Sequence, residues 1–292
     1  FFFIIICRCQ MKVNKHNIAI TGSNGYLGSC ISDFLANENN IYKLTRYPKK
    51  KNKNEFLFNL KNNIAVNFFK KEKIKVLIHC AHDFKVSSYK KSYEVNVLPS
   101  LQLFKNANMG GVKKIIFISS MASHSKNNSI YSRIKRDIEK ITVKFNGIII
   151  KPSLIIGEKP GGIFKTMNNI IKKFYIIPLV SSNNQTLYTV NDLELCKVIK
   201  KMIFYNKYKN NKYLVTNKHP TTLKEIFLFL KKKNKSKNIF ISINWRILWI
   251  LIKFFELFFY FPIRSDSIRT LVSTINLKNY PNYKILLTSK RL

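Results

Sequence analysis

Ile18-Ala-Ile-Thr-Gly-Ser-Asn-Gly-Tyr-Leu-Gly-Ser29 is the stretch on which the reading of this chain turns. Its apolar start has the length of a buried strand, and a helical pattern follows through about residue 37. Gly22, Gly25 and Gly28 lie between and within them. Gly22 allows a tight turn, Gly25 lets the backbone approach a pyrophosphate, and Gly28 lets the new helix pack closely. The helix N-terminus adds free amides and a partial positive charge for an anion. The chain holds only nine glycines, so three at this spacing between a strand and a helix point to a dinucleotide phosphate loop.

The pattern continues outward as short apolar runs alternating with helical stretches. Strands are expected at Ile18–Thr21, Ile41–Thr45, Glu55–Phe58, Val76–Cys80, Ile115–Ser119 and Gly147–Ile150. Helices are expected near 26–37, 65–72, 93–108, 129–145 and 192–205. Continuous apolar strands separated by helices mark a parallel sheet covered on both faces. The expected fold is therefore α/β, a Rossmann-type doubly wound parallel sheet, with a small C-terminal domain. The dinucleotide-binding domain is assigned to 11–155. Residues 156–292 form mainly the second domain, with segments near 188–205 returning to the first. Residues 1–10 precede the first Met and are expected to be an unstructured upstream extension, with a truncated signal peptide as the alternative.

Composition narrows the function. The chain of 292 residues carries 52 Lys and Arg against 14 Asp and Glu, a formal charge of +38. Arg supplies eight of these cations and Lys 44. Abundant Lys, Asn, Ile and Phe fit an AT-rich coding sequence, and a selected nucleic-acid surface favours Arg. No specific nucleic-acid partner is expected, although the field attracts anions. Cys7, Cys9, Cys30, Cys80 and Cys196 are odd in number and lack metal-type spacing; no metal site is expected, and a reducing compartment is.

Two further features concern chemistry. The second strand ends in Leu44-Thr45-Arg46, where an acid would meet a free ribose 2′-hydroxyl. Arg46 suits a 2′-phosphate instead, so NADP is favoured over NAD. Tyr131-Ser-Arg-Ile-Lys135 places a phenol and an ammonium on one helical face. The ammonium is expected to lower the phenol's pKa, making Tyr131 an acid or base near neutral pH.

In order, Thr21-Gly-Ser-Asn-Gly-Tyr-Leu-Gly28, Ile78-His-Cys-Ala81, Asn96-Val97, Phe117-Ile-Ser-Ser120, Tyr131-x-x-x-Lys135, Lys151-Pro152 and Val190-x-Asp192 resemble the extended short-chain dehydrogenases/reductases, the NAD-dependent epimerase/dehydratase family. The resemblance runs from about Asn17 to Asp192. It implies that Ser120 hydrogen-bonds the substrate oxygen, Tyr131 shuttles the proton, and Lys135 binds the nicotinamide ribose and holds Tyr131 anionic. Tyr26 and Leu27 would line the pyrophosphate through their amides. Asn59, Leu60 and Ala81 would flank the adenosine half, and Asn96 and Pro152 complete the cofactor set. Departures exist: Asn59 stands where Asp is usual, His82 replaces a small residue, and Met121-Ala122 replaces the Asp-Glu of sugar dehydratases. His79 is expected to make a structural hydrogen bond, and His82 and His124 take the same bland reading.

The resemblance implies an NAD(P)-dependent oxidoreductase or epimerase acting on a hydroxyl or keto group. Its substrate would be a nucleotide sugar in cytoplasmic surface-polysaccharide synthesis. The alternatives are a non-catalytic NADPH-binding module and a carbonyl reductase of an apolar substrate. A homodimer is kept open. Ile239–Ile263 is strongly apolar, and at about 100° per residue its Arg246, Lys253 and Glu256 fall within an arc of about 80°. The preferred reading is a helix packed on the core or on a partner. An interfacial membrane helix, giving peripheral membrane contact, comes second. Asp266–Ser273 resembles the substrate-domain end of sugar-nucleotide epimerases and supports the packed helix.

Overall fold

The computed structural model describes residues 15–49, 53–62, 64–86, 88–124, 128–158, 161–180, 186–205, 212–258, 277, 280 and 282–289. The expectations for residues 1–10, 259–263 and 266–273 lie outside the described residues.

The strands are β1 (Asn17–Thr21), β2 (Asn40–Thr45), β3 (Glu55–Leu57), β4 (Val76–His79), β5 (Lys114–Ile118), β6 (Ile148–Pro152), β7 (Leu154–Ile156), β8 (Ile176–Val180), β9 (Thr186–Leu187), β10 (Thr189–Asn191), β11 (Lys212–Asn217), β12 (Thr221–Thr222), β13 (Ile239–Ile243) and β14 (Lys284–Thr288). The α-helices are α1 (Tyr26–Leu35), α2 (Val66–Lys71), α3 (Tyr89–Ser92), α4 (Leu98–Met109), α5 (Ile130–Lys144), α6 (Gly162–Lys173), α7 (Asp192–Phe204), α8 (Leu223–Lys233) and α9 (Trp245–Phe258). A π-helical turn, Tyr93–Val97, joins α3 to α4.

Eight strands form one parallel sheet in the order β14-β11-β6-β5-β4-β1-β2-β3. The order reverses between β1 and β4, which opens a crevice at the carboxyl ends of those strands. Alternation along each strand feeds two cores. Ile18 and Ile20 of β1 face α1 and α7 with Leu195 and Ile199. Ala19 faces the opposite layer with Phe104, Ile134 and Ile138 of α4 and α5. This is a Rossmann-type fold.

The return to the sheet extends beyond 188–205, because β11 and β14 extend the sheet past β6. A smaller lobe has its own core of Phe164, Met167, Ile177, Ile226 and Leu230. The apolar stretch after Ile239 is not one helix. Ile239–Ile243 alternates and pairs with β8, as β-branched residues favour. α9 starts after Asn244, whose Oδ1 accepts from the Arg246 amide at 2.9 Å. Among the described residues, no helix is long and apolar enough to cross a membrane.

Candidate active site

β1 delivers the chain into the crevice. Gly22 has φ +67°, and a Cβ there would lie 2.9 Å from the Ala81 amide nitrogen at the end of β4. Gly28 meets the loop rather than the sheet: its Cβ would run into the Gly22 carbonyl. The loop is anchored to β2, with the Gly22 amide donating to the Leu44 carbonyl at 3.2 Å and Ser23 Oγ to the same oxygen at 3.3 Å. Gly25 caps α1 with no side-chain hydrogen bond, and no acid stands in the first turn. The first-turn amides of Tyr26 and Leu27 therefore have no side-chain cap, as an anion requires. This geometry fits a pyrophosphate.

The other expected cofactor residues differ in their freedom to bind. Arg46 is exposed just beyond β2, two residues past the strand position that anchors the loop. Asn59 Oδ1 accepts from the Lys61 and Asn62 amides at 2.8 and 2.7 Å, which leaves its amide nitrogen as the group that can serve a base. Leu60 and Ala81 both pack against the same core layer. Pro152 closes β6 at the same sheet end. Asn96 is committed elsewhere: Oδ1 accepts from the Asp83 amide at 2.7 Å, and Nδ2 donates to the carbonyls of Asp83 and Ser92. It staples the loop after β4 instead of offering a free side chain.

The three expected catalytic residues come together. Ser120 follows β5, accepts from the Ala122 amide at 3.1 Å, and its hydroxyl favours the ionised form of Tyr131. Lys135 lies one turn along α5, its Nζ 5.8 Å from the Tyr131 ring centre. That ammonium donates to the Ile118 carbonyl at 2.9 Å, leaving two N–H donors. The expected lowering of the Tyr131 pKa is not seen. Burial dominates, opposed by the Ser120 hydrogen bond and reinforced by Glu139, and pushes the phenol up to about 12. Burial also lowers Lys135 to about 8. At neutral pH the pair is thus a neutral phenol beside an ammonium, a proton donor rather than an acceptor.

His79 is wholly buried between Thr21 Oγ1 at 2.8 Å and Ser100 Oγ at 2.9 Å. Burial, aided by Lys135, drops it to about 3, so it is a neutral structural bridge. His82 lies edge-on to the Tyr131 ring, centroids 5.2 Å apart, and Phe84 stacks on that ring at 5.7 Å.

The sequence reading missed Glu139. It lies two turns beyond Tyr131 on the same face of α5, a spacing that could have revealed it. Its Oε1 accepts from Ser119 and Ser123 Oγ, and its Oε2 pairs with Lys151 at 3.2 Å and accepts from Tyr283 at 3.0 Å. Lys151 also donates to the Ser123 carbonyl at 3.0 Å. These contacts fix the Ser120 loop on the helix that carries Tyr131. The resemblance implies a role for the Tyr26 amide alone, yet its hydroxyl donates to Asp192 at 2.9 Å, and its ring lies where a Cβ on Gly161 would be.

The chain is similar to known proteins of one family. Residues 18–175 match the NAD dependent epimerase/dehydratase family. A UDP-glucose 4-epimerase of Vibrio cholerae is 24% identical over 253 residues, 76% of each chain. The structure of MoeE5 in complex with UDP-glucose and NAD superposes with a TM-score of 0.67 at 14% identity, over 78% of this chain and 85% of that one. The dTDP-4-dehydrorhamnose reductase of Bacillus anthracis in complex with NADP gives 0.64 at 19%, over 79% and 85%. Both structural likenesses concern the fold. A family match across more than half the chain, on a Rossmann-type sheet, makes this chain a member of the NAD-dependent epimerase/dehydratase family, an NAD(P)-dependent oxidoreductase or epimerase of the extended short-chain dehydrogenase type.

Proposed function

We propose that the chain interconverts a hydroxyl and a keto group on a nucleotide sugar, in the cytoplasm, as a step of surface-polysaccharide synthesis. The observation that carries this reading is the grouping of Ser120, Tyr131 and Lys135 beyond the carboxyl end of β5. A nicotinamide cofactor, when bound, supplies the hydride chemistry. The free amides of α1 would hold its pyrophosphate, and Arg46 would favour the 2′-phosphate of NADP. The two free donors of Lys135 would hold the nicotinamide ribose. Ser120 would orient the substrate oxygen, and Tyr131 would give it a proton in reduction or take one in oxidation.

In domain terms, 11–155 with the returning strands would bind the nucleotide, and the lobe built on α6 and α8 would select the sugar. The free thiols Cys30, Cys80 and Cys196 fit a reducing compartment. The aromatic surroundings of Tyr131, formed by His82 and Phe84, favour a second reading, a carbonyl reductase of an apolar substrate.

A panel of nucleotide sugars, their 4-keto forms and apolar ketones decides between them. NADPH oxidation is followed by absorbance, and epimerised product by chromatography. Turnover on a nucleotide sugar is expected; turnover confined to apolar ketones transfers the assignment to the second reading. NADPH binding with no turnover on any of them leaves a non-catalytic module.

A further inference from the structure

α9 turns an apolar face away from the protein. Ile247, Ile250 and Leu251 are 55%, 59% and 45% exposed, whereas Ile252 is 7% exposed. At about 100° per residue, Ile247, Ile250, Leu251 and Phe254 occupy an arc of about 100°, and Ile252 lies about 150° from its centre. The helix therefore sits on the lobe through Ile252 and shows the opposite stripe to solvent. The parallel pair β8 and β13 does the same: it aligns Ile176 with Ile239 and Pro178 with Ile241, and all four are exposed. Their alternate residues Ile177, Leu179 and Phe240 fill the lobe core. Contiguous apolar surface of this kind marks an interaction site.

Charge selects the occupant. Between Glu158 and Asp192, and again between Glu225 and Glu256, the sequence has no acidic residue, and the two stretches hold eleven Lys and Arg. Arg246 and Lys253 are exposed along one flank of the α9 stripe. A second copy of the chain would bring the same +38 charge to the face and be repelled. An anionic lipid surface brings the opposite charge and an acyl boundary for the isoleucines.

We infer that α9 lies in the plane of an anionic membrane, with Ile247, Ile250 and Leu251 in the headgroup–acyl boundary and the lysines of the lobe over acidic headgroups. This is peripheral docking, and it stands independently of the reaction proposed above.

Flotation of the full chain with vesicles tests it. Binding to vesicles of phosphatidylglycerol and phosphatidylcholine should exceed binding to pure phosphatidylcholine by about tenfold or more and should fall in high salt. Ile247→Ser with Ile250→Ser changes exposed positions and should abolish vesicle binding while NADPH titration stays unchanged. Lys232→Glu with Lys237→Glu should weaken binding without touching the stripe. No binding to anionic vesicles, or equal binding to neutral ones, overturns the inference. So does sedimentation that reveals a dimer which the isoleucine variant dissociates, because the face would then be a self-interface.

Discussion

Glu139→Ala removes one member of a buried ion pair and leaves the other in place. The Glu139 and Lys151 side chains are only 8% and 3% exposed. After the change, the Lys151 ammonium keeps the Ser123 carbonyl but loses its counter-charge, and Ser119, Ser123 and Tyr283 lose their acceptor. Breaking such a pair from one side costs about 3–5 kcal/mol, a large part of a typical stability of about 5–15 kcal/mol. One response limits the loss. Burial already lowers the Lys151 pKa, with Glu139 opposing it. Without Glu139 the folded chain sheds that proton more readily than the unfolded chain, so the variant's stability rises with pH below the ordinary lysine range. Urea unfolding should therefore show a deficit of about 3–5 kcal/mol at neutral pH that narrows at alkaline pH. Glu139→Leu with Lys151→Met should recover most of it, since no charge is then stranded. A deficit below about 1 kcal/mol, or a double variant as unstable as the two single changes added together, would refute the reasoning.

Tyr131→Phe should lower turnover about 10²–10⁴-fold while leaving NADPH affinity nearly intact; unchanged turnover on the identified substrate removes Tyr131 from the chemistry. Ser120→Ala should cost less, because it deletes an orienting hydrogen bond and not the proton donor. In fluorescence titration NADPH should bind more tightly than NADH, and Arg46→Asp should invert the order; equal affinities in the parent chain end the NADP preference. Lys135 has a folded pKa of about 8, below its unfolded value of about 10.4. The folded chain thus binds fewer protons than the unfolded chain between those values, and stability rises with pH there. Lys135→Met should accordingly be more stable than the parent at pH 7, with the difference closing toward pH 10 as cofactor binding is lost throughout; a less stable variant at pH 7 contradicts the burial penalty.

What was legible in the sequence was local. The phosphate loop could be read because a strand, three glycines and a helix start lie within twelve residues, each with its own conformational demand. The other strands of the first half could be read as short apolar runs, most of them set off by helical patterns. β14 could not. Its Lys-Ile-Leu-Leu-Thr becomes a strand only by pairing with β11, some 70 residues earlier. β13 reads as helix in the sequence because a continuous apolar run carries no period until something pairs with it. The Tyr26–Asp192 hydrogen bond spans 166 residues, and no spacing rule reaches that far.

The same distinction runs through the catalytic cluster. Tyr131, Lys135 and Glu139 are four residues apart on one face of α5, and helix geometry alone places them together. Their environment is assembled from elsewhere: Ser119 and Ser123 after β5, Lys151 in β6, and Tyr283 from the last strand's approach. Spacing could name the phenol and the ammonium, yet the proton affinity of each is set by burial, which only the assembled sheet creates. Burial moves the two groups in opposite directions, against ionisation of the phenol and against protonation of the amine. The result is a neutral phenol beside a lysine that titrates near pH 8. A site so arranged starts as an acid, and it becomes a base only if ligand binding restores to Tyr131 the stabilisation of its anion that burial removes.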